Sequence, residues 1–319
     1  MKVSVHLITY NHEHFIARAI SSALEQRTDF DFEIVIGDDC STDGTPAIVD
    51  DFRRRHPDRI RVLPRDENLG MHRNHRRTLE ACKGEYVAYL EGDDYWTSPE
   101  KLQKQIDFLA ANPRCVMCHH AVTVVTEDGS TPPYRTPAKP QSGVATILDL
   151  IDGISMATCS IVVKNGLLPP PPDWFYTLKM CDLPLSIMQA EHGDIGYIDE
   201  VLGVYRVHDG GVWSAQSRAK SLQGRIQALE LLNEHFAYKY DVQVQCALSK
   251  CYFGLACEFA RDGDRRLARS HLSKSVLARP LDLSIARGRA VLTVKLYAPW
   301  LYRPLDAAGK QLFGRSLKL

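Results

Sequence analysis

The segment YLEGDDYW, residues 89–96, sets Glu91, Asp93 and Asp94 around Gly92. Carboxylates this close repel one another unless a positive charge relieves them. Hard divalent ions such as Mg²⁺ and Mn²⁺ prefer carboxylate oxygens and keep positions open for substrate phosphates. An acidic turn of this kind therefore points to a metal-assisted phosphate site, the bland alternative being a solvated loop. Two more polar clusters, Thr9-Tyr10-Asn11 and Asp38-Asp39, follow apolar runs in the same manner. Asp39 is suited to accept hydrogen bonds from a base or ribose, and Tyr10 to stack beside it.

These clusters need a scaffold that delivers them to one place. VSVHLIT (3–9), FEIVIGD (32–38), RIRVLP (59–64) and EYVAYLE (85–91) read as strands, and FIARAISSALEQ (15–26), 41–56 and 71–84 as helices between them. Alternation of this length predicts a parallel sheet flanked by helices, an α/β fold whose ligands lie beyond the carboxyl ends of the strands. All three polar clusters occupy such ends. Further on, a helix is expected at 99–111, strands over 115–130 (ending in an Asp-Gly turn), 155–164 and 194–208, and a helix beyond Pro184. The Pro-rich stretches 131–143 and 165–175 read as loops. From about 217 the pattern turns all-helical, so two domains are expected, 1–213 and 214–319.

The 319 residues carry 39 Lys+Arg against 39 Asp+Glu, a balance that argues against a general nucleic-acid binder. No apolar run reaches the roughly 18 residues of a membrane span, and the first residues show no secretory signal. Nine cysteines without regular spacing read as reduced thiols, and the expected location is the cytoplasm. CVMCH (115–119) matches a haem-attachment pattern, but within an expected strand it reads as sheet core.

Taken in order, VSVHLITYN, FEIVIGDDCSTDGT, KGEYVAYLEGDDYW and CDLPLSIMQAEHGDIGYIDEVLGVYRVH resemble the family 2 glycosyltransferases of the GT-A fold over residues 1–213. The resemblance implies a metal-dependent, inverting transfer from a nucleotide-diphospho-sugar, UDP-linked by expectation, to a saccharide or lipid-linked acceptor in surface polysaccharide synthesis. It implies donor contacts from Thr9, Tyr10, Asn11, Asp39, Glu91 and Arg76, and Mn²⁺ or Mg²⁺ held by Asp93, Asp94 and His208. Asp182 matches the family's base, where the local alternative is a helix N-cap. Glu91 replaces the usual first aspartate of the metal motif. Arg206 is a further candidate for the diphosphate, Arg73 and Arg77 for phosphate contacts, and Trp213 for an acceptor platform.

The last third reads as a helical hairpin (247–280) and a tail, 281–319, with seven Lys/Arg against two Asp and four aromatic residues. Such a tail suits an anionic membrane surface at the inner face of the cell membrane, or packing on its own domain. Two competing readings remain: a nucleotidyltransferase, disfavoured because TYNHEHF stands where a Gly-rich phosphate loop belongs, and a binding scaffold without catalysis.

Overall fold

A computed structural model of the chain describes residues 1–211, 217–298 and 300. β1 (Val3–Thr9) and β2 (Phe32–Asp38) are almost wholly buried. That is why they read as near-continuous apolar runs: strands of a parallel sheet are covered on both faces. α1 (Ile16–Leu24) packs Ile16, Ala19, Ile20 and Ala23 inward at helical spacing. α2 (Thr45–Arg55) begins with Pro46 in its first turn, where the missing N–H has no partner to lose. β3 (Ile60–Val62), α3 (Met71–Ala81), β4 (Tyr86–Glu91), the short β5 (Tyr95–Trp96) and α4 (Lys101–Ala111) follow.

α3 buries polar residues, Asn74, His75 and Thr78. The Asn74 amide donates to the Gly37 carbonyl at 2.7 Å. A Cβ at Gly37 would lie 1.9 Å from Thr78 Oγ1, so only glycine lets this helix approach β2 so closely.

The second half adds β6 (Cys115–Thr126), β7 (Tyr134–Thr136), β8 (Val144–Ala145), α5 (Ile147–Asp152), β9 (Val162–Lys164), α6 (Asp182–Ala190) and the long β10 (Asp194–Val207). The sheet runs β3-β2-β1-β4-β9-β6-β10-β5, with β7 on β6 and β8 on β10. β1 to β4 pair in parallel, as do β6 and β10, whereas β9, β5, β7 and β8 run antiparallel. The expected α/β sheet is present, in mixed form. Cys115, Cys118, His119 and His120 are buried in β6.

Three segments differ from expectation. The strand foreseen over 155–164 is a 3₁₀ turn at Thr158–Ser160 followed by only three strand residues. α6 starts at Asp182 rather than after Pro184, because a proline in the first helical turn costs no hydrogen bond. The loop expected at 165–175 runs into a 3₁₀ turn at Asp173–Thr177.

The chain divides into two compact units, one of 1–150, 154–177 and 181–215, the other of 151–153, 178–180 and 216–319. The second holds α7 (Arg218–His235), α8 (Asp241–Arg261), α9 (Arg265–Ala278) and α10 (Ala286–Tyr297). Ala256, Ala268, Leu272, Leu292 and Leu296 form its core, and the small residues let α8 and α9 meet closely. Buried Arg289 donates to Ser275 Oγ and to the Arg279 carbonyl. Residues 301–319 of the basic tail, and the expected domain boundary at 213/214, lie outside the described residues.

Candidate metal and donor site

Parallel pairing of β1 with β2 and β4 brings their carboxyl ends to one edge, with Thr9 opposite Asp38 and Ile8 opposite Glu91. Past β1, Asn11 adopts φ 56°, a left-handed conformation that asparagine tolerates. Its backbone N–H donates to Ser41 Oγ at 2.9 Å and its Oδ1 accepts from Thr42 N–H at 2.8 Å. These bonds tie the loop after β1 to the loop after β2. The Asp39 N–H reaches the Thr9 carbonyl, and its carboxylate accepts from Leu69 N–H at 2.8 Å and Gly70 N–H at 2.9 Å. Asp39 thus anchors the turn that leads into α3. Tyr10, beside it, is exposed.

The acidic turn after β4 is organised by Gly92. Its φ is not left-handed; the requirement is close approach. A Cβ there would stand 2.5 Å from Thr9 Oγ1 and 2.8 Å from His12 Nδ1. The absence of that atom lets His12 lie over the turn, its Nδ1 3.2 Å from Thr9 Oγ1 and its Nε2 3.9 Å from Asp93 Oδ2. From the end of β10, His208 Nε2 lies 3.0 Å from the same carboxylate oxygen. The His208 ring rests on Phe15 at 4.8 Å. One ligand atom from each of His12, Asp93 and His208 falls within 4.8 Å of the others.

The three carboxylates separate electrostatically. Burial pushes Asp93 upward, but its hydrogen bond to His208 and the nearby His12 outweigh this, and it stays below its ordinary value. Asp93 in turn raises His208 by that hydrogen bond, while burial lowers His12. Glu91 is driven well up by burial and by the charges of Asp94, Asp93 and Asp182. Asp94 is driven well up by burial and by Asp93, and its Oδ1 accepts the Arg206 backbone N–H at 2.8 Å. Burial and mutual repulsion thus push Glu91 and Asp94 upward, while Asp93 is held low by the two imidazoles. Asp94 faces the backbone of β10 rather than the two imidazoles.

The set fits a divalent cation: two imidazole nitrogens and one anionic oxygen, with the His12 ring held through its other nitrogen by Thr9, as second-shell partners commonly orient metal-bound histidines. Residues 12, 93 and 208 come from three loops far apart in sequence, so no spacing motif announces them. His12 carried no sequence signal beyond its place directly after a strand end.

Asp182, the first residue of α6, is open to solvent although densely surrounded by protein, and burial raises it. Its charge bears on Glu91, which places it at the same edge. The N-cap is Cys181, so Asp182 is not committed to that role. Arg206 donates to the Asp93 carbonyl at 2.8 Å and pairs with Glu127 at 3.1 Å. Arg76 is held by Glu80 at 2.7 Å and Tyr176 Oη at 2.9 Å. Trp213 lies outside the described residues.

The model of the family described as glycosyl transferase family 2 matches residues 4–163, half of the chain. The chain belongs to this family. An uncharacterized protein of Mycobacterium tuberculosis is 33% identical over 243 residues, covering 73% of this chain and 69% of its own length. Among solved structures, Staphylococcus aureus TarS in complex with UDP-GlcNAc superposes with a TM-score of 0.56 at 19% identity, over 88% of this chain and 92% of that one. The mannosyltransferase PcManGT from Pyrobaculum calidifontis, in complex with GDP-Man and Mn²⁺, gives 0.53 at 18% identity over 99% and 88%. In sequence, poly(ribitol-phosphate) beta-N-acetylglucosaminyltransferase TarS of S. aureus is 37% identical over 99 residues, 30% of this chain and 17% of its own. This family 2 chain thus shares a fold with nucleotide-sugar complexes. Among the described residues no helix is long and apolar enough to cross a membrane.

Proposed function

We propose that this chain is an inverting glycosyltransferase that moves a sugar from a nucleotide-diphospho-sugar to a hydroxyl of a saccharide or lipid-linked saccharide, in polysaccharide synthesis. The observation that carries the reading is the meeting of His12, Asp93 and His208 beside Glu91, whose carboxyl feels Asp182. His12, Asp93 and His208 would hold Mn²⁺ or Mg²⁺, which when bound neutralises the donor diphosphate. We assign the donor as UDP-linked, in line with the UDP-GlcNAc of the TarS complex.

The loops after β1 and β2 receive the nucleoside. Tyr10 supplies an exposed ring face, Asn11 and Thr9 shape the backbone around it, and Asp39 keeps unused lone pairs besides the two amide bonds it accepts. Glu91, which burial and the neighbouring carboxylates push upward, is suited to a ribose or sugar hydroxyl. Asp182 takes the proton of the acceptor hydroxyl as the acceptor oxygen bonds to the anomeric carbon from the face opposite the diphosphate. The bond from that carbon to the diphosphate oxygen breaks, and its electron pair leaves with the nucleoside diphosphate. One carboxylate suffices for such a displacement, and a raised value brings the base nearer to neutral pH, where proton transfer is efficient.

The test is Asp182→Asn. UDP-sugar affinity is expected to stay within about twofold, whereas transfer falls about 10²- to 10⁴-fold, the usual worth of a general base. Turnover at the native rate in this variant sinks the assignment of the base.

A further inference from the structure

Away from the metal ligands, Arg73, Arg76 and Arg77 of α3 share a groove of about 490 Å³ with Glu80, Asp173 and Tyr176. Their spacing of three and four residues stacks the guanidinium groups on one helix face. Among the described residues, Arg76 alone of the three pairs with an acid, Glu80. Arg77 spends its terminal nitrogens on neutral acceptors, the Pro64 carbonyl at 2.9 Å and Asn74 Oδ1 at 3.0 Å. Its Nε is buried with no acceptor among the described residues. Arg73 is exposed, without an ion-pair partner among the described residues. A buried donor without an acceptor and cations without counter-charges together describe a place for an anion.

The groove lies on the side of Asp182. His72, one turn before Arg76, packs edge-on against Phe175 at 5.1 Å, and its charge bears on Asp182. Phe175 is the buried neighbour of Tyr176, whose hydroxyl Arg76 holds. The donor nucleoside is read by the loops after β1 and β2. A ligand in this groove would instead approach Asp182 from α3 and the 173–177 turn.

We infer that the Arg73–Arg76–Arg77 groove binds a phosphate group carried by the acceptor, placing the acceptor hydroxyl against Asp182. Arg76 takes this role in place of the donor contact that the family resemblance implies for it. The inference rests on the role given to Asp182. Phosphate is preferred to carboxylate because several guanidinium groups on successive turns can share the oxygens of a tetrahedral dianion, while a carboxylate saturates one arginine fork. The phosphate belongs either to a soluble phosphorylated saccharide or to the diphosphate of a lipid-linked one.

Binding is measured on the full chain, without donor or metal, by calorimetry. The probes are a disaccharide phosphomonoester, its neutral parent, the matching uronic acid, and vesicles carrying the same disaccharide on a polyprenyl diphosphate. The phosphorylated probe is expected to bind at least tenfold tighter than the neutral one. Arg73→Gln with Arg76→Gln removes that preference, while UDP affinity is unchanged; Arg77 is left intact because of its structural bonds. Preference for vesicles or for the soluble probe identifies the source of the phosphate. Equal binding of phosphorylated and neutral probes overturns the inference, as does equal binding of the uronic acid. A parallel loss of UDP affinity in the double variant also overturns it, since the arginines would then serve the donor. Because no turnover is read, failure of the groove and failure of the Asp182 assignment are separable.

Discussion

Replacing Gly92 with alanine puts a methyl carbon where two side chains already sit. Unrelaxed, it would lie 2.5 Å from Thr9 Oγ1 and 2.8 Å from His12 Nδ1. Ordinary contacts of this kind lie at about 3.5 Å, so each neighbour must retreat by roughly 0.7 to 1 Å. Gly92 cannot easily move instead, because its N–H is fixed to the Ile8 carbonyl at 2.9 Å. The bond between His12 and Thr9, 3.2 Å long, is the first casualty, and with it the aim of His12 Nε2 at Asp93. Overpacking of this sort costs about 1–3 kcal/mol of stability. Loss of a ligand's orienting partner weakens metal binding about 10- to 100-fold. Urea denaturation and Mn²⁺ titration followed by electron paramagnetic resonance read the two effects separately. Gly143→Ala, whose added methyl meets nothing within 4 Å, serves as the neutral control. Native stability together with native Mn²⁺ affinity in Gly92→Ala would refute the geometry of the metal cluster.

His12→Ala is expected to weaken Mn²⁺ binding about tenfold or more while changing Mg²⁺ binding less, because imidazole suits transition ions and Mg²⁺ demands hard oxygen ligands. Parallel titrations decide this, and equal losses for both ions would remove His12 from the ligand set. Asp93→Ala, which deletes the charged carboxylate, is expected to abolish Mn²⁺ binding outright in the same titration. Burial lowers His6 and His119 to about 4, against 6.5 for the exposed side chain. The unfolded chain therefore takes up protons first as pH falls, and stability complete above 6.5 is lost between 6.5 and 4, by up to about 2 kcal/mol per histidine at pH 5. Urea midpoints at pH 7.5 and 5 measure the loss, and identical midpoints would contradict it.

Much of the α/β unit was legible in the chain itself. VSVHLIT and FEIVIGD are buried on both faces, and such strands must be apolar along their length. Amphipathic spacing likewise exposed α1, whose buried positions recur every three or four residues. α6 was less clear, since Pro184 masked a helix start that the proline in fact tolerates. The segment 155–164 misled because β-branched and apolar residues favour strands, while only a local 3₁₀ turn satisfies the backbone at Thr158–Ser160.

Sequence alone determined that three carboxylates crowd after one strand and that polar clusters end two others, because side-chain types and strand periodicity are local properties. Tertiary structure decided which of those carboxylates is pushed up and which is held low, since burial and neighbours drawn from β10 and the loop after β1 set each shift. It also decided that His12 joins Asp93 and His208, and that three arginines of α3 face Tyr176. Contacts between residues a hundred positions apart depend on how strands pair and how closely glycine lets them pass, and neither is written in any short stretch of chain.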